Sequence, residues 1–433
     1  MKKFIGFSFG LALGAMALSL GGGCNRTVTL VAPLAPSNNN SSAAVYTPPQ
    51  ATNMLGSGLY NFYQGQSGNI LFSPFSIITC VAMAQEGAVG PTQTQMQTVM
   101  YLNPNTPVRL AGIQKMLSEI NSPSKPYTLA TADTMWPQQG YPILPAYINT
   151  LQTYYSAGVT DLDYVGNAAG AVQTIDAAVS QQTDGYIPNL LTVSEVPPTT
   201  KLVLTNAIYF QADWSSQFVT TGTNQQTFNL TSTTSETVSM MHQTLPAVIG
   251  SYNDAASVLA LPYVNNGASM YIFLPPLGGM ANLEGLLTGP NINAWLSANA
   301  AAMAVSGLSV PSVLLSLPKF TFSTSYNLSG TLSAMGMPLA FSRPGPNGAN
   351  FSGIDGNLDL TISKVIHQAF INVSEKGTTA AAATAVGIII YAIAFPMNTV
   401  PFTVDHPFIF MIVDNASNTV LFMGRVKDPL STS

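Results

Sequence analysis

Few side chains in this sequence of 433 residues could do chemistry, and they are widely separated. The histidines are His242, His367 and His406, and there are two cysteines. A metal site needs several such ligands at close spacing, which does not occur here. The segment 6–10 (Gly-Phe-Ser-Phe-Gly) has the spacing of a hydrolase nucleophile turn, but it lies in an apolar N-terminal stretch. There is no His-Glu-x-x-His motif and no Gly-Lys phosphate loop. The sequence therefore predicts no enzyme, no metal and no cofactor.

Residues 377–404 form an uncharged run, which is the most informative segment of the chain. The run opens with Gly, Thr and Ala and continues with Ile, Tyr and Phe. Small residues pack at little cost and β-branched residues favour a pleated surface, so such a segment can lie exposed and also enter a β-sheet. A membrane helix over 378–395 is one alternative, although Gly387 and Pro396 interrupt the run. A buried parallel strand is another, although residues 377–384 are too small to fill a core alone.

The composition argues against a polyanion as partner. Hydrophobic residues make up 47% of the chain and charged residues 7%, and the net charge is −5. The 13 basic residues are scattered, whereas binding of nucleic acid needs grouped cations. We therefore expect no nucleic-acid partner and no polyanion site.

The N-terminus resembles a bacterial export signal. Residues 1–23 contain two lysines, an apolar stretch over 4–20 and three glycines before Cys24. Small residues before a cysteine are typical of a lipoprotein signal, although the expected leucine lies one place early, at Leu20. The predicted location is a bacterial membrane, periplasmic or cell-surface, with acylated Cys24 as the anchor; otherwise the protein is secreted. Cys80, in an apolar helix, is predicted to be an inert buried thiol.

The chain divides into three parts. Residues 1–23 are the signal peptide, 24–50 a low-complexity tether rich in Ser, Asn, Ala and Pro, and 51–433 one folded domain. Hydrophobic periodicity predicts helices over 51–65, 75–89, 92–101, 107–121, 144–157, 171–183 and 326–336. Alternation predicts strands over 126–136, 201–212, 236–249, 268–275, 310–324, 363–374, 402–414 and 419–426. The fold class is therefore α+β.

Two predicted strands carry a polar residue in the middle of an apolar face. Asn206 lies among Leu and Ile in 201–210, and His367 lies among Val, Ala and Ile in 363–373. A buried polar side chain must find a hydrogen-bond partner. The two side chains either find separate backbone partners or meet each other beneath a sheet.

Several motifs follow one another in order along the chain. They are Asn69-Ile70-Leu71-Phe72-Ser73-Pro74-Phe75-Ser76-Ile77, Gly87-Ala88-x-Gly90-x-Thr92, Leu204-Thr205-Asn206-Ala207-Ile208-Tyr209-Phe210 with Trp214, Met240-Met241, Leu261-Pro262-Tyr263, Leu317-Pro318-Lys319-Phe320, Phe351-Ser352-Gly353-Ile354, Asp405-His406-Pro407-Phe408 and Leu421-Phe422-Met423-Gly424-Arg425-Val426. In these motifs the chain from about 51 to 429 resembles the serpins, a family of serine protease inhibitors. The resemblance implies a serpin fold with three β-sheets, about eight to nine helices, a dominant five-stranded sheet and an exposed reactive-centre loop.

The resemblance also implies roles for individual residues. The hinge of the loop is matched by Gly377, Thr378, Thr379, Ala380, Ala381, Ala382 and Ala383. The shutter beneath the main sheet is matched by Ser73, Ser76, Asn206 and His367. Trp214 matches the breach, where insertion starts, and Lys319 and Glu375 match an ion pair beside the hinge. The family spacing from Glu375 places the reactive bond at Tyr391-Ala392, with slippage toward Ile390 or Phe395 as an alternative.

The implied function is inhibition of a serine protease by suicide-substrate trapping. The protease forms an acyl bond to the loop, and the cleaved loop inserts into the main sheet before the acyl bond is hydrolysed. Tyr391 suits chymotrypsin-like proteases, with elastases second and a cysteine protease as a further alternative target. The expected inhibitor is a monomer prone to polymerise. The alternative is a non-inhibitory serpin that acts as a surface binding or carrier module.

Overall fold

The computed structural model describes residues 45–131, 133–157, 159–303, 311–378 and 399–432. The α-helices in these ranges are α1 (Pro48–Tyr63), α2 (Pro74–Gln85), α3 (Pro91–Val99), α4 (Thr106–Ile120), α5 (Pro145–Thr150), α6 (Ala168–Gln182), α7 (Met280–Leu286), α8 (Gly289–Met303), α9 (Leu328–Ala334) and α10 (Ser352–Asp355). The strands are β1 (Ile70–Phe72), β2 (Thr128–Thr131), β3 (Thr134–Pro137), β4 (Leu202–Asp213), β5 (Asn224–Asn229), β6 (Ser235–Pro246), β7 (Ile249–Tyr252), β8 (Ala256–Pro262), β9 (Ala268–Leu274), β10 (Ser312–Pro318), β11 (Phe320–Asn327), β12 (Lys364–Val373), β13 (Gly377–Thr378), β14 (Thr399–Thr403), β15 (Phe408–Asp414) and β16 (Thr419–Val426).

Local sequence signals set where the first helices begin. Thr47 caps α1 in a capping box with Gln50, and Pro48 occupies the first turn, where its missing N–H costs nothing. Ser73 caps α2 by accepting a hydrogen bond from the N–H of Ser76. Helix α1 therefore begins at Pro48, three residues before the predicted start of the folded domain at residue 51.

The main sheet has the order β11-β12-β13-β4-β2. Strands β2 and β3 pair with successive parts of β4, so they are two halves of one interrupted strand. Parallel bridges from Met135 to Val159 and from Gln138 to Leu162 extend the sheet at that edge. The sheet therefore has five strand positions, and the two-residue strand β13 lies between β4 and β12 as an additional short element.

Two further sheets complete the fold. One has the order β14-β10-β6-β5 and the other β1-β16-β15-β9-β8-β7. The largest buried cluster includes Leu204 and Ile208 of β4 together with β15 and β16. A smaller cluster joins Val203 and Ala207 of β4 to α6. Both faces of β4 are thus buried, which explains why its sequence reads as a nearly continuous apolar run.

Most sequence-based expectations of secondary structure are confirmed. All seven predicted helical windows and all the predicted strand windows coincide with observed elements, although three strand windows each contain two strands. The window 126–136 contains β2 and most of β3, 310–324 contains β10 and part of β11, which lie in different sheets, and 402–414 contains part of β14 and all of β15. Helices α7, α8 and α10 and strands β1, β5, β7, β8 and β13 were not predicted, and the described ranges hold ten α-helices where eight to nine were expected. The α+β class with three sheets is confirmed. Within these ranges, none of the helices combines the length and apolar character needed to cross a bilayer.

Candidate functional site

The start of the uncharged run is already part of the main sheet. Thr378 pairs antiparallel with Val373 of β12 and with Ala212 of β4. A Cβ atom at Gly377 would lie 2.1 Å from the carbonyl oxygen of Ala212, so no larger residue fits there without moving the backbone. Thr378 is 1% exposed. Gly377 and Thr378, the first two predicted hinge residues, therefore lie between the long strands β4 and β12. These two residues are called the wedge below.

Strands β4 and β12 pair directly over only part of their length. Their parallel ladder runs from Lys364 opposite Val203 to Ala369 opposite Ile208. Beyond Ala369, the described residues show no further ladder pair between the two strands until β13 lies between them. Since each strand keeps its other neighbour, the main sheet parts locally at this end.

A stacked aromatic pair, Trp214 and Tyr263, contacts the wedge and the residues just before it. The ring of Trp214 stacks on Tyr263, with centroids 4.5 Å apart and planes at 11°. The hydroxyl groups of Tyr263 and Thr378 lie 2.6 Å apart. Trp214 also donates from its indole N–H to the carbonyl of Ser374 at 2.9 Å and from its backbone N–H to that of Lys376 at 2.8 Å. The predicted breach residue therefore contacts the chain on both sides of Glu375.

Glu375 is fixed by an ion pair and a hydroxyl group. Lys319 Nζ lies 2.9 Å from Oε2 of Glu375, and Thr223 donates to Oε1 at 2.8 Å. Burial acts to raise the pKa of Glu375, but the hydrogen bonds and the charge of Lys319 hold it below its ordinary value. The Lys319 side chain is 40% exposed, so the pair contributes under about 1 kcal/mol.

Beneath the centre of the sheet, four predicted polar residues are joined in one network. His367 lies directly opposite Asn206 in the ladder, and the His367 Nδ1–H donates to Oδ1 of Asn206. The backbone N–H of Ser73 donates to Nε2 of His367 at 3.1 Å. Asn206 Nδ2 donates to Oγ of Ser76 at 2.5 Å. Of the two alternatives left open by the sequence, Asn206 and His367 therefore meet each other, and their contact is shared with the first turn of α2.

Asp133 is a fifth member of this network, and it was not among the residues predicted from the sequence. Its Oδ1 accepts hydrogen bonds from Ser76 Oγ at 2.8 Å and from Asn206 Nδ2 at 2.5 Å. The signal was a lone carboxylate inside the predicted strand 126–136. The sequence alone could not assign this carboxylate to the network. Only the pairing of β2 and β3 with β4 shows that the gap between β2 and β3 lies beside Asn206.

Burial shifts the two titratable groups of the network in opposite directions. It raises the pKa of Asp133 to about 7, against the lowering effect of the bonds from Ser76 and Asn206. It lowers the pKa of His367 to about 3, so the imidazole is neutral. A neutral ring fits the geometry, because Nε2 must accept from Ser73 while Nδ1 donates to Asn206.

On the opposite face, one tyrosine spans the parting of the sheet. Tyr186, in the segment after α6, stacks on Tyr209 of β4 at 4.6 Å and 13°. The same ring stacks on Phe370 of β12 at 5.3 Å and 29°. Both partners lie just beyond the last direct ladder pair, Ile208 and Ala369. Tyr186 therefore bridges β4 and β12 where they separate, a role that no local sequence pattern indicated.

Several predicted residues lie outside the described ranges. They are Cys24, the hinge residues Thr379, Ala380, Ala381, Ala382 and Ala383, and the reactive-bond residues Tyr391 and Ala392. Cys80 is described, and it is fully buried with its thiol directed at the carbonyl oxygen of Thr205. Burial raises its pKa well above the ordinary value, as expected for an inert thiol.

The main sheet is thus parted at one end, where Gly377 and Thr378, the first residues of the small-residue run, lie between β4 and β12. The chain belongs to the serpin family, since the family model described as "Serpin (serine protease inhibitor)" matches residues 50–429. An uncharacterized serpin-like protein of Thermococcus kodakarensis is 38% identical over 88% of this chain and 85% of its own length. The leukocyte elastase inhibitor of Bos taurus is 36% identical, covering 84% of this chain and 94% of its own length. Human thyroxine-binding globulin, solved with bound thyroxine, has a TM-score of 0.77 at 27% identity, covering 89% of this chain and all of that one.

Proposed function

We propose that this serpin inhibits a serine protease by trapping it as an acyl-enzyme while the cleaved loop inserts into the main sheet. The observation that carries the proposal is the wedge formed by Gly377 and Thr378 between β4 and β12. Insertion from this point needs no new entry site, because the first residues already pair with both strands. The wedge also fixes the direction in which the following residues would enter.

The sequence beyond the wedge suits an inserted strand. Residues 379–390 contain no charge and no proline, so each side chain can be buried and each backbone N–H can join a ladder. Insertion would split the direct pairs between β4 and β12, from Lys364–Val203 to Ala369–Ile208. Each strand edge would then pair with the new strand, so few backbone hydrogen bonds would be lost. The free energy gained would come from the backbone hydrogen bonds and the buried apolar surface that residues 379–390 acquire in the sheet, less the entropic cost of ordering them.

The proposed target is a chymotrypsin-like protease that cleaves at Tyr391-Ala392. A large aromatic side chain fits the deep apolar specificity pocket of a chymotrypsin-like protease. In a trypsin-like pocket, the same side chain would leave the buried carboxylate without a cationic partner. Residues 377–404 contain no Lys or Arg. Elastases are the second candidate, through slippage to Ile390 or Ala392, and a relative carries the name leukocyte elastase inhibitor. A cysteine protease is a further candidate target.

The direct test is incubation of the protein with chymotrypsin, an elastase and trypsin, followed by a denaturing gel. We expect an SDS-stable complex with chymotrypsin and a released fragment that begins at Ala392. Tyr391→Arg should shift trapping toward trypsin by several orders of magnitude. Thr403→Arg, which adds the same charge at an exposed position of β14, is the matched control and should not cause this shift. Cleavage without a stable complex would overturn the inhibitor proposal.

That negative outcome would favour the second candidate, a non-inhibitory binding or carrier module. The thyroxine-bound globulin is the observation in its favour, because this chain matches that protein over its full length. The denaturing gel distinguishes the two functions, because a carrier would be cleaved as an ordinary substrate without forming a stable complex.

We also propose export and anchoring through an acylated Cys24. Residues 1–23 support this because they combine a basic start, an apolar stretch and small residues before the cysteine. Cys24→Ser should release the protein from the membrane fraction of the producing cell. A membrane-bound form whose Cys24 thiol is unmodified by mass spectrometry would contradict the proposal.

A further inference from the structure

The turn that begins with Asp355, the last residue of α10, and leads toward β12 contains two aspartates whose environment the serpin mechanism does not explain. Residues 355–359 read Asp-Gly-Asn-Leu-Asp. Asp355 is 4% exposed, and its Oδ1 accepts a hydrogen bond from the N–H of Asn357 at 2.9 Å. The other oxygen, Oδ2, is buried and has no hydrogen-bond donor. A buried carboxylate oxygen without a donor costs free energy, so its presence calls for a positive partner.

The group beside Asp355 is a second carboxylate. The side chain of Asp359 lies within hydrogen-bonding reach of Asp355 and acts on it electrostatically. Burial of Asp355 and the neighbouring Asp359 raise the pKa of Asp355, against the lowering effect of the Asn357 N–H. Two ionised carboxylates can only accept hydrogen bonds, so a proton or a cation must lie between them when they face each other.

We propose that this turn binds Ca²⁺ through Asp355 Oδ2 and the carboxylate of Asp359. Hard oxygen donors without histidine or cysteine favour this ion over zinc. The Asp-x-Asn-x-Asp spacing equals that of the first three ligand positions of a helix–loop–helix calcium loop. Residues 356–359 are exposed, so water can supply the remaining ligands.

The turn departs from a complete calcium loop in ways that set its affinity. Leu360 follows Asp359 where such loops have glycine, and Ile366 stands at the twelfth position, where they have a bidentate glutamate. With two carboxylates and water, the dissociation constant should be on the order of 1 mM, as in weak extracellular modules. The ion would fasten the chain just before β12, the strand that carries His367 and pairs with β13.

A second carboxylate pair in the same protein provides a matched control. Glu236 of β6 has a buried Oε1 without a donor, and Asp428 lies beside it. Glu236 as a residue is only half-buried, and the sequence around it has no Asp-x-Asn-x-Asp spacing. Glu236→Gln therefore removes a comparable carboxylate without touching the proposed ion site.

The test is thermal unfolding of the chelator-treated full-length protein at pH 7.5, with 10 mM CaCl₂, with 10 mM MgCl₂ and with neither. At a dissociation constant of about 1 mM, 10 mM Ca²⁺ should lower the unfolding equilibrium constant about tenfold and raise Tm, and Mg²⁺ should do so less. Asp355→Asn and Asp359→Asn should abolish the Ca²⁺ response, whereas Glu236→Gln should keep it. Asp355→Asn provides an amide donor for Asp359, so without the ion this variant should be at least as stable as the wild type.

An unchanged Tm of the wild type in Ca²⁺, or an equal rise in Asp355→Asn, would overturn the proposal. Another result would also overturn it: Tm rises when the pH is lowered to 5.5, Asp359→Asn abolishes this rise, and Ca²⁺ has no effect. A shared proton, and not Ca²⁺, would then lie between the two carboxylates. Neither result depends on protease inhibition, so the calcium site and the inhibitor function fail or succeed separately.

Discussion

The parted end of the main sheet and its closed centre are held by different kinds of contact. At the parted end, Trp214, Tyr263 and Lys319 contact the segment 374–378, which would have to move or extend during insertion. At the centre, His367 and Asn206 connect β12, β4 and α2 through buried hydrogen bonds. The first set holds the segment that leads into the proposed inserted strand, whereas the second holds together β4 and β12, the two strands that insertion would separate.

Substitutions in the two regions should therefore affect different properties of the protein. A change at the parted end should alter what happens after cleavage, because in the proposed mechanism the inserted strand would start at the wedge. A change at the centre should alter the stability of the uncleaved protein, because the network bridges the two strands before anything inserts. Four substitutions test this distinction.

The largest effect is expected for Thr378→Arg. The guanidinium would be buried at a position that is 1% exposed, at a cost of several kcal/mol. Insertion should then be slower than hydrolysis of the acyl-enzyme, and the yield of SDS-stable protease complex should fall at least tenfold. Thr378→Ser keeps the hydroxyl contact with Tyr263 and should retain the complex. A wild-type yield from the arginine variant would contradict the insertion mechanism.

The second effect concerns pH. Since the pKa of Asp133 is raised to about 7 in the native state, the native state binds this proton more tightly than the unfolded chain, and the Asp133 contribution to stability falls as the pH rises from about 4 to about 7. The pKa of His367 is lowered to about 3, so the unfolded chain binds that proton more tightly, and the His367 contribution rises between about pH 3 and pH 6.5. In the wild type the two contributions oppose each other.

In Asp133→Asn, the pH dependence of stability that comes from His367 should therefore remain without the opposing contribution of Asp133. Relative to the wild type, the free energy of unfolding of the variant should increase by up to about 1.4 kcal/mol per pH unit between about pH 4 and pH 7. Urea unfolding across this range measures the slope, and Asp161→Asn, which removes an exposed carboxylate, serves as control. Parallel curves for Asp133→Asn and the wild type would show that Asp133 does not take up a proton in this window.

A smaller effect is expected for His367→Ala. The substitution leaves the Ser73 N–H and the Asn206 Oδ1 without their partner, at a cost of roughly 1–3 kcal/mol. The loss should appear as a lower Tm and as polymers on mild heating, measured by native gel. His242→Ala, which alters a half-buried histidine in the second sheet, should form fewer polymers. Equal polymer yields from the two variants would argue that the central network has no special role in closing the sheet.

The smallest effect is expected for Tyr186→Ala. The ring stacks on Tyr209 and Phe370 across the parting, and such aromatic pairs contribute about 0.5–1.5 kcal/mol each. Without the ring, the uncleaved protein should lose inhibitory activity faster at raised temperature, because the strands separate more easily. Tyr186→Phe preserves the ring and should keep the wild-type half-life. A slower loss in the alanine variant would mean that the ring does not clamp the two strands.

The secondary structure of this protein was largely predictable because its signals are local. Thr47 and Ser73 cap helices, and alternation along β12 is read directly from its sequence. Helix α8 was missed because Gly289–Met303 is rich in Ala and Asn and shows little contrast between its faces. The polar network was half predictable, since a buried Asn206 and a buried His367 each require a partner.

What the sequence alone determined is an uncharged run over 377–404, free of proline up to residue 395, and a polar residue in the middle of each of two apolar strands. The proposal of loop insertion begins from these two features. The tertiary structure decided which groups meet. Asp133 joins the network only because β2 and β3 pair with β4, and Tyr186 bridges Tyr209 and Phe370 although these are far apart in sequence. Both contacts depend on the packing of segments that the chain brings together only when folded. Local patterns report burial and backbone geometry, whereas the partner of a buried group is set by long-range pairing.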